Sequence, residues 1–339
     1  MKDLYRLATL ISCTAVVAGC TKAGFEYTGE KLVPLGDRFS ESFTQNKAQG
    51  EVDILIISDN SSSMAAQQVK LGERFAQFTS ALNQIDYQIG VITTDVESNN
   101  SISKGALVML PGLQTRVLKS GTANAETIFS TMVNVGTTGS GNEQPMMASM
   151  MAFDKRNSEN AGFFRDYTDV AILVLSDEDE MSNGASGTAA SEVVKHFQDT
   201  WGESKRLLSF GIIIKPGDQD CLAQQLSDSA GGSFGTRAQD LANLTGGETF
   251  SICDSDYSES LKAIGEKVRN LVFSIQLKQM PVARSVQVEI STGEQIAFRV
   301  EGNRVIFARA PQQGAQIIVT YNIPKVEVVS AKPNFVDQR

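Results

Sequence analysis

The chain has 339 residues, 41% hydrophobic and 20% charged, a globular composition long enough for one large domain and a smaller one. Thirty Lys+Arg against 39 Asp+Glu leave a formal charge of -9, which argues against a broad basic face for nucleic acid. The single histidine, His196, excludes a multi-histidine metal site and disfavours Ser-His-Asp or Cys-His hydrolysis, and none of the four cysteines forms a CxxC pair for a zinc ribbon.

The first twenty residues read as an address. Lys2 and Arg6 precede an uncharged, mostly apolar run from Leu7 to Ala18, which suits a secretory signal over residues 1–19 and is too short to span a bilayer. The run ends in Val17-Ala18-Gly19-Cys20, which resembles the bacterial lipoprotein box. That resemblance implies acylation of Cys20, and several acyl chains together give stable anchoring. Thr21 stands after the cysteine where an aspartate would signal inner-membrane retention, so resemblance to enterobacterial sorting favours the outer membrane. Export would leave Cys221 and Cys253 in an oxidising envelope, where a disulfide is expected and two free buried thiols are the alternative.

Residues 20–50 lack a sustained period and are expected to form a lipid-anchored tether, with one short paired segment around Phe39–Phe43. From Glu51 the pattern changes. Val52–Ser58 (VDILIIS) is a continuous apolar run suited to a buried parallel strand. Met64, Leu71, Phe75, Phe78 and Leu82 then share one helical face. Tyr87–Thr94 predicts a second strand, and Ala106–Leu118 a hairpin turning at Pro111-Gly112. Short helices follow near Ala123–Met132 and Glu143–Phe153. Asp169–Ser176 (DVAILVLS), Leu207–Ile214 and Glu248–Ile252 are further strands. Helices are predicted over Ser191–Trp201, around Gln239–Leu244, and where Leu261, Ile264, Val268 and Leu271 share a face. Strands alternating with helices predict an α/β domain over 51–272, a doubly wound, mostly parallel sheet covered on both faces. After Phe273 the period becomes two, and Gly302-Asn303 signals a hairpin. Residues 273–325 are therefore expected to form a small antiparallel β extension, with 326–339 as a tail.

The candidate chemistry lies where VDILIIS runs into Asp59-Asn60-Ser61-Ser62-Ser63. Asp59, Ser61 and Ser63 make an Asp-x-Ser-x-Ser pattern on a strand-to-helix turn, beyond the carboxyl end of a strand, where open α/β sheets bind ligands. Short side chains keep three oxygens close to the backbone, and hard cations want oxygen ligands. These residues resemble the von Willebrand factor A domain and its metal-ion-dependent adhesion site. Two later loops keep the family's order: Val135–Pro145 (VGTTGSGNEQP), where the family supplies a threonine, and Asp177 after DVAILVLS, where it supplies a second aspartate. The resemblance covers about residues 50–272. It implies a divalent cation, Mg²⁺ with Mn²⁺ or Ca²⁺ as alternatives, held by Asp59, Ser61, Ser63, Thr138 and Asp177. Thr137, Ser140 and Glu143 remain alternatives to Thr138 in the middle loop. It also implies a protein partner whose acidic side chain completes the cation's coordination.

The competing readings are plainer. Serines 61–63 would merely cap a helix, Glu178 and Glu180 would be solvated acids, and Asp95 would be an exposed loop aspartate or an outer-shell residue. Nothing in the spacing of Glu178 or Asp95 demands a general base, so an enzyme is not expected. The expected function is cation-dependent partner binding by a lipid-anchored envelope protein. The alternative is an envelope scaffold in which the metal site is structural or vestigial.

Overall fold

The computed structural model describes residues 35–46, 50–109, 115–182, 187–228 and 231–325. The signal segment, Cys20, the first part of the tether, the Pro111-Gly112 turn and the 326–339 tail lie outside the described residues. Strand β1 (Leu35–Thr44) precedes β2 (Gly50–Ser58), α1 (Ala65–Gly72), α2 (Phe75–Ala81) and β3 (Ile85–Thr93). Next come β4 (Val117–Lys119), α3 (Ala125–Val133), α4 (Pro145–Asp154), β5 (Asp169–Ser176) and α5 (Ala190–Trp201). The α/β part ends with β6 (Leu207–Ile213), α6 (Gln219–Asp228), α7 (Thr236–Thr245), β7 (Glu248–Ser251) and α8 (Ser258–Val272). Five short strands close the chain: β8 (Ser274–Gln276), β9 (Gln287–Ile290), β10 (Phe298–Glu301), β11 (Arg304–Phe307) and β12 (Gln316–Pro324).

A six-stranded sheet in the order β4-β3-β2-β5-β6-β7 forms the centre, parallel except for β4. The continuous apolar runs are explained by burial on both sides. Val52, Ile54 and Ile56 of β2 face a core with Phe75, Phe78, Phe129 and Ile264, whereas Leu55 and Ile57 face another with Phe153, Val193, Phe197 and Leu241. The class is α/β, with helices on both faces. Among the described residues no helix is long and apolar enough to cross a membrane.

The helix predicted from Met64 to Leu82 is two helices, broken at Glu73-Arg74. Gly72 explains the break: α3 passes so close that a Cβ there would lie 2.9 Å from Ser130 Oγ, and glycine is itself a weak helix former. Helix α6, which no apolar period announces, is tied to the loop after β7 by a Cys221–Cys253 disulfide. The bridge closes a separation of 32 residues. Replacing both cysteines by alanine is expected to lower unfolding free energy by about 3–4 kcal/mol on the chain-entropy relation, read as a reduced urea midpoint.

Past α8 the chain builds two three-stranded antiparallel sheets, β1-β12-β9 and β10-β11-β8, where the sequence predicts one. They share a core of Leu277, Val305, Phe307, Ile317, Val319 and Tyr321. The short paired segment expected around Phe39–Phe43 within the tether is thus a longer strand, a member of this C-terminal module that runs from Leu35 opposite Pro324 to Thr44 opposite Gln316. Arg206 joins the two parts. Its guanidinium pairs with Asp169 at 2.5 Å and donates to the carbonyls of Ser274 (2.8 Å) and Leu271 (2.7 Å).

Candidate metal centre

Three loops meet beyond the carboxyl ends of β2 and β5. The first is held by the sheet itself, since Asp59 N–H donates to Leu175 O at 2.9 Å, one step past the β2–β5 ladder. Asp59 is fully buried. Its Oδ1 accepts from Ser61 N–H at 2.7 Å and its Oδ2 from the Ser176 hydroxyl at 2.7 Å. The hydroxyls of Ser61 and Ser63 lie 3.0 Å apart, and Ser63 donates to Asp177 Oδ1 at 3.1 Å. Four of the predicted residues, Asp59, Ser61, Ser63 and Asp177, therefore form one connected set. Helix α1 has Met64 at its cap position and no side-chain capping bond, so the serines do not serve as its cap.

The middle loop is arranged differently from the family-based expectation. Thr138 is exposed, Thr137 is half-buried, and Ser140 is turned to Glu97 Oε2 at 3.0 Å. The side chain brought to the site is Glu143, fully buried, with one oxygen accepting from the Thr94 hydroxyl and its backbone carbonyl accepting from Met181 N–H at 2.8 Å. Gly139 N–H donates to Asn60 O at 2.8 Å, and any Cβ on Gly139 would fall 2.3 Å from the Asn60 carboxamide, so the first and middle loops are in close contact. Gln68, also buried, holds the same two loops: its Nε2 donates to Asp59 O and Gly136 O at 2.8 Å each, and its Oε1 accepts from Gly136 N–H at 3.2 Å.

The electrostatics follow from crowding carboxyls away from water. Burial, then the charge of Asp59, pushes Glu143 up to about 9, with Glu178 and Asp177 adding to the effect and the Thr94 hydroxyl opposing it. Burial and Asp59 likewise raise Asp177 to about 7. Asp59 is itself raised by burial, against the hydrogen bonds from Ser61 and Ser176, and Glu178 is raised by burial and by Asp59. No lysine or arginine is among the principal influences on any of these four groups.

Two buried carboxyl oxygens of the set, Asp177 Oδ2 and Glu143 Oε1, lack a hydrogen-bond partner, as does the neighbouring Asn60 Oδ1. An unpartnered buried acceptor is costly, and a cation is the complement that serves several at once. The residues thus fit a hard divalent ion, for which oxygen is the preferred donor. Among the described residues no group of three or more His, Cys, Asp or Glu side chains is spaced as a metal cluster. A cation here would draw on hydroxyls as well as carboxylates.

The acidic run after β5 divides its work. Glu180, read as a solvated acid, is buried. Its Oε2 accepts from Met146 N–H at 2.6 Å, the first free donor of α4 after Pro145, and its Oε1 from Ser182 N–H at 3.0 Å. Asp179 Oδ1 accepts from Arg237 N–H at 2.9 Å in the first turn of α7. Each carboxylate satisfies an orphan amide at a helix start and lies at the favourable end of the helix dipole. Asp95, read as exposed, is also fully buried, with Oδ1 accepting from the amides of Glu97 (3.0 Å) and Ser98 (2.9 Å). Burial opposes its ionisation, but hydrogen bonds from Ser98, Glu97 and Ser140 outweigh it and hold the carboxyl below its ordinary value. His196 donates to or accepts from Asp154 at 2.9 Å on α5, as a packing residue would.

No family model matches the chain, and no curated protein matches it. Among solved structures, the open conformation of the pilus adhesin SpaC from Lactobacillus rhamnosus GG is 11% identical over 90% of this chain and 43% of the adhesin, with a TM-score of 0.37. Proximal thread matrix protein 1 from the mussel byssus is 14% identical over 71% of this chain and 50% of its own, with a TM-score of 0.36. The chain thus spans half or less of either protein, and likenesses of this size carry no argument about its activity.

Proposed function

We propose that residues 50–272 are a doubly wound domain of the von Willebrand factor A type, that Asp59, Ser61, Ser63 and Asp177 hold a divalent cation, and that the chain binds a protein partner through it. The middle-loop donor in this reading is Glu143 rather than Thr138. The cation of choice is Mg²⁺, with Mn²⁺ and Ca²⁺ as alternatives. In this reading the lipoprotein-like segment ending at Cys20 anchors the domain to the outer membrane of the bacterial envelope, and its role there is binding, not catalysis. The observation that supports this most strongly is the pair of buried, unpartnered oxygens, Asp177 Oδ2 and Glu143 Oε1, beside hydroxyls that already link Asp59's loop to Asp177.

Glu143 also favours a second reading. Asp59 and Asp177 alone leave a divalent ion short of anionic ligands and ready to accept a partner's carboxylate. A third carboxylate offsets more of its charge and suits an ion that secures the loops of a scaffold. Affinity capture from an envelope extract separates the two. With the cation-bridged partner, capture occurs in Mg²⁺ and is lost both in EDTA and with Asp59→Ala. A partner retained in EDTA by the wild type rejects the bridging role and leaves the scaffold reading.

A further inference from the structure

We infer that a cleft at the opposite pole of the sheet from Asp59 binds a monocarboxylate with an apolar body, held by Arg304. The cleft has a volume of about 310 Å³ and lies between the start of β6, α8 and the β10–β11 hairpin. Leu208 and Ile306, both buried, contribute its apolar lining, and Lys267, Asn270, Glu301 and Arg304 its polar one. Arg304 precedes β11's buried residues and follows the Gly302-Asn303 turn, which sets it directly opposite Glu301.

The charges around the cleft are paired except for one. Lys267 Nζ lies 3.0 Å from Glu248, Glu301 is taken by Arg299 at 2.7 Å, and Arg206 is taken by Asp169. The half-buried Arg304 guanidinium makes no hydrogen bond or ion pair among the described residues. Burial, then Arg206 close by, lowers its pKa; the charges of Asp169 and Glu301 oppose this only in part, and neither carboxylate is in ion-pair contact with the guanidinium. One surplus positive charge calls for one negative charge, and the planar guanidinium fork matches a carboxylate with two parallel hydrogen bonds. The Asn270 amide is likewise without a hydrogen bond among the described residues and lines the same cleft from α8. The apolar side chains favour a ligand whose carboxylate is attached to a ring or short chain, and the volume is of ligand-site size.

Titration of the full chain with benzoate, followed by ligand-detected NMR, tests the site. Benzoate is expected to bind with a dissociation constant on the order of 1 mM, the range for so small a ligand. Benzamide, of the same shape without the charge, is expected to bind at least tenfold more weakly, and Arg304→Met to cost benzoate a similar factor with an unchanged melting temperature. Should that variant fold poorly, Asn270→Ala on the helix wall serves instead, with an expected loss of about threefold. No saturable benzoate binding, equal affinity for benzamide, undiminished binding in a folded Arg304→Met protein, or undiminished binding in Asn270→Ala where that variant stands in would each overturn the assignment. So would inorganic phosphate displacing benzoate at lower concentration than benzoate itself binds, because the site would then be a phosphate site.

Discussion

Mg²⁺ at about a hundred times its dissociation constant is expected to stabilise the wild type by about 2.7 kcal/mol and to leave Asp59→Asn unmoved. For a chain of this size that is a rise of roughly 4 °C in melting temperature, readable by calorimetry with and without EDTA. The asparagine keeps an oxygen for the Ser61 amide, so the comparison isolates the charge. A metal response surviving in Asp59→Asn would refute the ligand assignment. The pH dependence in EDTA has a definite sign. Glu143 and Asp177 have folded values raised to about 9 and about 7, so the native state holds more protons than the unfolded chain. Their contribution to stability is complete below about pH 4 and is lost as the pH rises through 7 and then 9. A bound cation replaces those protons, so the Mg²⁺-dependent increment should grow over the same interval.

Arg165→Met is expected to cost about 3–5 kcal/mol of folding free energy, measured by urea denaturation. Asp53 sits fully buried within β2, and Arg165 answers it twice, by Nε–H to Oδ1 and by its own backbone N–H to Oδ2, each at 2.7 Å. The same guanidinium donates to Val52 O at 2.9 Å and Asp86 O at 3.0 Å, so it ties the starts of β2 and β3 together. Burial raises Asp53 to about 6 even against Arg165's attraction, which measures how strongly that carboxylate depends on its partner. Exchanging both, as Asp53→Leu with Arg165→Met, should recover most of the loss, because a buried pair is expensive to break and much less so to replace. An Arg165→Met protein as stable as the wild type would show the pair to be dispensable.

What could be read from the residues divides along physical lines. Val52–Ser58, Asp169–Ser176 and Leu207–Ile214 are legible because a strand buried on both faces must be continuously apolar, and the structure places strands at those positions. The break between α1 and α2 was hidden because Phe75 and Phe78 keep the helical period across it, while its cause, the approach of Ser130 to Gly72, is tertiary. Helix α6 escapes because most of its surface is polar and a covalent bond, not an apolar stripe, fastens it. In the site, Asp59, Ser61 and Ser63 are named by their motif and Asp177 by the family resemblance, and the pairing of β2 with β5 brings the two loops together. Glu143 is singled out by neither, because a loop's choice of which oxygen to turn inward depends on Thr94 and Met181. Asp95 and Glu180 were misjudged for a shared reason: acidic residues in loops read as solvated until the amides they accept from are in view. The signal was present for Glu180, whose partner helix opens with Pro145 and so begins with an unsatisfied Met146 amide.

The pairing of β1 with β12 also governs how the molecule bears tension. A pull applied at Leu35 and resisted at the Asp59 loop is directed along β1, which precedes β2 in the chain. Along that route β1 is loaded in shear, so its rungs to β12 share the force. The same ladder pulled between Leu35 and Pro324, which face each other at one end, opens like a zipper with each rung stressed in turn. The β1–β12 ladder is therefore stiff when Leu35 is drawn along the strand against a load at the Asp59 loop, and soft when Leu35 and Pro324 are drawn apart.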